Sequence, residues 1–132
     1  MSYAERRTIY FEVPGKQNTE TLLKTVKKYV KEAGIRDIVV ASTTGETGVK
    51  ASKLLKGLNL VVVTHHFGFS KTGKQELKEE NRQKILAEDG KILTATHALS
   101  GAERAIRKDF NTIEPLEIIA NTLRLFGEGT KV

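Results

Sequence analysis

The sequence predicts an α/β domain of three layers, α/β/α, around a mostly parallel sheet. Three observations predict it. Four short β-rich runs alternate with segments of helical periodicity, the pattern of strand–crossover–strand units. The second and third runs, DIVVA at 37–41 and LVVVT at 60–64, are continuous apolar stretches rich in β-branched residues. Such runs suit strands buried on both faces of a helix-covered parallel sheet. The length of 132 residues and mass of 14.6 kDa fit one domain over the whole chain.

The first β-rich run is TIYFEV at 8–13. A helix follows, with Leu22, Leu23, Val26, Tyr29, Val30 and Ala33 on one stripe and Lys24, Lys27, Lys28 and Lys31 opposite. Asn18 or Thr19 can cap it and Gly34 can end it. After the run 37–41, residues 43–56 read as a helix that turns Val49, Leu54 and Leu55 inward. After the run 60–64 comes the longest irregular segment, 64–75, of a length that is often functional. A weaker helical pattern covers 76–88, ahead of Gly90. The fourth run is KILTA at 91–95, followed by helices at 101–108 and 115–126. In the last, Leu116, Ile119, Leu123 and Phe126 hold helical spacing, with Pro115 at its start and Gly127 past its end. The expected order is therefore β-α-β-α-β-α-β-α-α.

Composition removes several function classes. The chain has no cysteine, which excludes disulfides, thiolate metal sites and cysteine nucleophiles. No apolar run approaches the ~18 residues of a membrane span, and the N-terminus lacks the apolar core of a secretory signal. The simplest expectation is a cytoplasmic protein. The net charge is +6. Residues 1–60 carry 11 basic and 6 acidic side chains, against 11 and 10 in 61–132, so the excess sits in the first half. That excess suits a nucleic acid, an anionic small molecule or solubility alone. No helix-turn-helix or RNP pattern accompanies it, which ranks nucleic acid last.

Open α/β sheets bind ligands outside the carboxyl ends of their strands. All three histidines, His65, His66 and His97, follow β-rich runs. The segment Ser42, Thr43, Thr44, Gly45, Glu46, Thr47 and Gly48 is the strongest signal, with hydroxyls and glycines passing directly into a helix. Free backbone N–H groups and the positive end of the helix dipole favour a phosphate there, and the glycines would let it approach. The competing reading is an ordinary capped helix start, since Thr43 and Glu46 have capping-box spacing. The segment lacks the Lys of G-x-x-x-x-G-K-[ST], so it is not a P-loop.

His65 and His66 are adjacent, so an extended backbone sends them to opposite sides and at most one readily faces a cleft. Metal binding is not expected, because no carboxylate stands at ligand spacing. Phe67, Gly68 and Phe69 form an aromatic tip that would stack on a planar ring or pack under its own loop. Ser100-Gly101-Ala102-Glu103 has the spacing of a second capping box. Arg104, Arg107 and Lys108 read as a solvated face. No nucleophile–base–orienter set is visible in the sequence.

The stretch 37–47 resembles the stand-alone proteins similar to the pyruvate kinase C-terminal domain, which are mostly archaeal. Tyr10-Phe11, Pro14-Gly15 and Asn18-Thr19 look like that family's opening. The stretch 61–69, VVVTHHFGF, looks like its third strand and loop, and 97–104, HALSGAER, like its histidine–Leu-Ser-Gly segment. The resemblance runs from about residue 8 to 132. It implies the pyruvate kinase C-domain fold without pyruvate kinase activity, since a catalytic barrel does not fit in a chain of this length. It also implies flavin mononucleotide (FMN) as ligand. Its phosphate would sit on Ser42 to Thr47, and its ring near His65, His66, Phe67, Gly68, His97 and Ser100. Lys16 is the nearest basic side chain. The alternative is a flavin-dependent or phosphate-ester enzyme, with His97 or His66 as proton donor. Family members continue past residue 132 with a further strand-helix-strand section. The resemblance thus implies an open sheet edge covered by self-association or by a partner.

Overall fold

The computed structural model describes residue 5 and residues 7–132. Its centre is an open sheet of three parallel strands, β1 (Asp37–Ala41), β2 (Asn59–Thr64) and β3 (Lys91–Thr94), in the order β1-β2-β3. Ile38 pairs with Leu60 and Val40 with Val62, and Val62 pairs in turn with Ile92. Directly paired residues share a face, so these five apolar residues form one continuous surface. The fold class is α/β, as the alternating pattern predicts.

Helices α1 (Thr19–Ala33), α2 (Glu46–Leu54) and α3 (Glu79–Ala87) lie on that surface. Leu23 from α1, Ala51 and Leu55 from and after α2, and Ile85 from α3 are buried with Leu60 and Val62 in one core cluster. Topology dictates this one-sidedness. Sequential strand order with two right-handed crossovers puts both connecting helices on the same face. Leu23 and Val30 are buried on α1, and Gly34 ends it in the left-handed region at φ 67°. Both follow the expected stripe and stop signal.

The chain continues with α4 (Ala102–Phe110), α5 (Pro115–Leu125) and the short α6 (Glu128–Lys131). Helix α6 packs against both α5 and β1. On the sheet face away from α1–α3, Val39 is 57% and Leu93 49% exposed. No helix among the described residues is long and apolar enough to cross a membrane.

Two expectations are corrected. Residues 8–13 are not a strand; all are exposed and irregular, and the sheet of the described residues has three strands. A β-rich run needs a partner strand to satisfy its ladder, and both edge strands, β1 and β3, bond only to β2. The capping boxes also fail. Gly45 and Gly101, not Thr43 and Ser100, occupy the N-cap positions of α2 and α4, and neither helix has a side-chain cap bond there. The helices are accordingly shorter at their starts than the periodicity suggests.

Candidate functional site

The carboxyl ends of the strands open into a cleft of about 530 Å³. Its walls include Ser42, Thr43, Thr44, Glu46 and Thr47 after β1, Thr64 at the end of β2 with His65 and Phe69 after it, and His97 and Ser100 after β3. Lys16 reaches it from ahead of α1, Arg104 from α4, and Glu128 and Lys131 from α6. The position is the one expected of a ligand crevice in an open α/β sheet.

The segment 42–48 forms the cleft's most ordered wall. Ser42 Oγ accepts a hydrogen bond from Gly48 N–H at 3.2 Å, across the first turn of α2. Asn81 Nδ2 and Lys78 N–H donate to Thr44 O at 2.9 and 3.3 Å, tying the loop to α3. Among the described residues, the N–H groups of Thr44, Gly45, Glu46 and Thr47 have no partner. They are the orphan donors of a helix start, held by bonds that fix the loop from behind.

Gly45 is required for a reason on the protein side. Its φ is 90°, and a Cβ there would come within 2.7 Å of both Asn81 Cβ and Leu77 Cδ1. Gly48 is likewise crowded by Val62 and Ile85. Both glycines let α2 sit tightly on the core; neither opens space toward the cleft.

The Glu46 carboxylate is engaged by two cations, Lys16 Nζ at 3.4 Å and Lys78 Nζ at 3.7 Å. The Lys16 ammonium, and after it Lys78, hold the Glu46 carboxyl below its ordinary pKa. The cleft's charged lining is thus mixed, with Glu46 and Glu128 beside Lys16, Arg104 and Lys131. Lys131 is only 6% exposed and bonded to Glu128 at 3.1 Å.

Both adjacent histidines contact Phe69, His65 by stacking and His66 edge-on at 5.3 Å between centroids. His65 lines the cleft, while His66 abuts Gly101. Nδ1 of His65 lies 2.7 Å from Glu76 Oε2, and its ring stacks on Phe69 at 3.7 Å between centroids. A carboxylate can only accept, so Nδ1 donates to Glu76, which leaves Nε2 without a partner in that pair. The Arg104 guanidinium lies 4.4 Å from the Phe69 centroid. Nδ1 of His66 is buried without a partner, and a Cβ on Gly101, at φ 100°, would stand 2.9 Å from its ring.

Gly45, His66, Phe67 and Gly68 are not among the cleft-lining residues. Phe67 is 67% exposed. Its neighbour Phe69 holds the aromatic position instead, because Gly68 at φ 81° turns the chain and Gly68 N–H closes on Lys74 O at 2.9 Å. His97 is pinned by a tight turn in which His97 and Ser100 exchange backbone bonds of 3.0 Å.

Sequence reasoning missed Glu76, Lys131 and Glu128 as parts of the site, and read Arg104 as a solvated face. Glu76 reaches His65, and Arg104 reaches Phe69, through contacts across 11 residues or more, which carry no local signal. Lys131 and Glu128 belong to a one-turn helix too short for periodicity to reveal. Among the described residues, no group of three His, Asp or Glu converges to hold a metal ion. No protein-family model matches the chain.

Proposed function

We propose that this domain binds a phosphorylated small molecule at the carboxyl ends of its strands, with FMN as the favoured ligand. One observation carries the reading: Thr44, Glu46 and Thr47, whose N–H groups have no partner among the described residues, line the cleft at the start of α2. Oriented amides at a helix start stabilise a phosphate through the dipole and through charge-assisted hydrogen bonds. The hydroxyls of Thr43, Thr44 and Thr47 supply further donors, and Lys16, Arg104 and Lys131 supply cations at the cleft, two of them paired with Glu46 and Glu128. A volume of about 530 Å³ is within the usual range of small-molecule sites. The ring of such a ligand would meet Thr64, His65, His97 and Ser100, which offer hydrogen bonds rather than a stacking surface, since one face of Phe69 is covered by His65.

Calorimetric titration with FMN, riboflavin and inorganic phosphate tests this. FMN is expected to bind at least about tenfold more tightly than riboflavin, because charged hydrogen bonds contribute about 1.5–3 kcal/mol each. Thr44→Ala combined with Thr47→Ala should weaken FMN and leave riboflavin little changed. Equal affinity for FMN and riboflavin, or no binding of either, would refute the proposal.

The His65–Glu76 pair favours a second reading, a phosphate-ester or flavin-dependent enzyme. A ring oriented by a carboxylate, with one nitrogen free at a ligand cleft, has the arrangement of a general base. A His65→Gln variant that keeps ligand affinity and loses turnover of a phosphate ester would support this reading; unchanged turnover would end it.

A further inference from the structure

Lys131 is the one buried basic residue among the described residues, and it lines the cleft. Burial penalises the charge of a lysine, so a buried ammonium needs well-matched acceptors. Its partner here matches poorly. Glu128 Oε2 lies 3.1 Å from Lys131 Nζ, but the Glu128 side chain is 58% exposed where that of Lys131 is 5% exposed. Glu128 also faces Arg124 Nε at 3.2 Å. An ammonium carries three N–H donors, and Glu128 accounts for at most one of them.

Helix α6 packs against β1, the strand that leads into the 42–48 loop. No polar bond joins the two among the described residues. Thr130 N–H donates to Gly127 O, Val132 N–H to Glu128 O and Thr130 Oγ1 to Phe126 O. With the two ion pairs of Glu128, every polar partner of 127–132 lies within 124–132. The buried charge of α6 therefore sits at the strand ends with no acceptor supplied by β1 or by the loop after it.

Resting on the phosphate reading above, we propose that Lys131 holds the same phosphate as the amides of Thr44, Glu46 and Thr47, and that Glu128 competes with that phosphate for the ammonium. Phosphate is the stronger competitor, because it carries more charge than a carboxylate and three strong acceptor oxygens. Glu128 keeps Arg124 as its partner when Lys131 turns to phosphate, so the exchange leaves no carboxylate unpaired. Bonded to the start of α2 on one side and to Lys131 on the other, the phosphate supplies the polar link that α6 and β1 lack. Phosphate binding and the docking of α6 are thereby coupled, since the ligand favours the docked state.

Calorimetry with inorganic phosphate, and hydrogen exchange of 128–132 with and without it, test this on the full chain. Phosphate should bind the parent protein and slow exchange at 128–132. Lys131→Met keeps the apolar stem that is buried. It should weaken phosphate by about tenfold or more, as loss of a charged hydrogen bond does, and abolish the added protection. Glu128→Gln should tighten phosphate several-fold, and that gain should vanish when Lys131→Met is combined with it. Equal phosphate affinity of the parent and Lys131→Met overturns the role of Lys131 and leaves the phosphate site standing. A Glu128→Gln gain that survives Lys131→Met does the same. If Lys131→Met does not fold, the parent decides: phosphate bound without added protection at 128–132 overturns the proposal. No phosphate binding by the parent overturns it together with the phosphate reading.

Discussion

His65 Nδ1 lies 2.7 Å from Glu76 Oε2, joining the first residue after β2 to the far end of the loop that follows it. Gln75 reinforces the closure: its Nε2 donates to His65 O at 3.2 Å, and its Oε1 accepts from Glu76 N–H. The loop is thus a closed ring of contacts rather than a free lid, and its histidine is oriented before any ligand arrives.

Removing the carboxylate should loosen that ring. Glu76→Ala is expected to lower stability by about 1–2 kcal/mol, the usual worth of a hydrogen bond to a charged group that is partly exposed. Glu76→Gln should recover much of the loss, since its amide oxygen still accepts from Nδ1. Urea denaturation midpoints of the three proteins decide it; an unchanged midpoint for Glu76→Ala would mean that the contact contributes nothing.

Gly101 connects the turn of His97 to α4 and leaves no room for a side chain. Gly101→Ala must place a Cβ at φ 100° and about 2.9 Å from both His66 Cε1 and Thr96 Cγ2. Strain of this kind costs of order 1–3 kcal/mol. A lowered melting temperature is expected, with the His66 ring resonances displaced in NMR spectra. A melting curve that superimposes on the parent's would contradict the crowding.

Ser42 holds the first turn of α2 through Gly48 N–H. Ser42→Ala should cost about 1 kcal/mol, as loss of a helix-start acceptor usually does. Because the same bond orients the orphan amides at 44–47, phosphate affinity should fall together with stability. A variant that loses stability but binds phosphate as before would separate the two roles.

Glu46 works against an anion in the cleft. Glu46→Gln removes its charge and releases Lys16 and Lys78, so affinity for inorganic phosphate should rise several-fold in calorimetry. Weaker binding would instead assign the carboxylate a direct role toward ligand.

The same residue predicts a pH effect. Lys16 and Lys78 depress its pKa in the folded state below the ordinary 4.5. The ionised form is therefore favoured by folding. Its contribution is fully present above about pH 4.5 and is lost as pH falls through the depressed value. Glu20, lowered by Lys24, behaves alike. Stability measured between pH 5 and 2.5, in the ordinary carboxylate range, should decline less steeply for Glu46→Gln, and less again with Glu20→Gln added. Parallel curves for all three proteins would contradict the assignment.

The sequence by itself determined the α/β class, the three parallel strands and the helices between them, and it placed hydroxyl and histidine residues at the strand ends where the cleft lies. These depend on local facts: β-branched runs, helical periodicity, and hydroxyl and histidine residues clustered after strands. Only the tertiary structure decided what those residues touch. It gave the 8–13 run no partner strand, so a strand-like sequence stayed irregular. It replaced both capping boxes with glycine starts, because close packing of Gly45 on Leu77 and Asn81, and of Gly101 on His66, demanded residues without a Cβ. It brought Glu76 to His65, Arg104 to Phe69 and Lys131 into the cleft. It also covered only half of the stripe that periodicity assigned to the last helix: Leu116 and Leu123 are half-buried, while Ile119 and Phe126 are exposed. Periodicity records that a helix has an apolar face; what that face meets depends on how the rest of the chain packs.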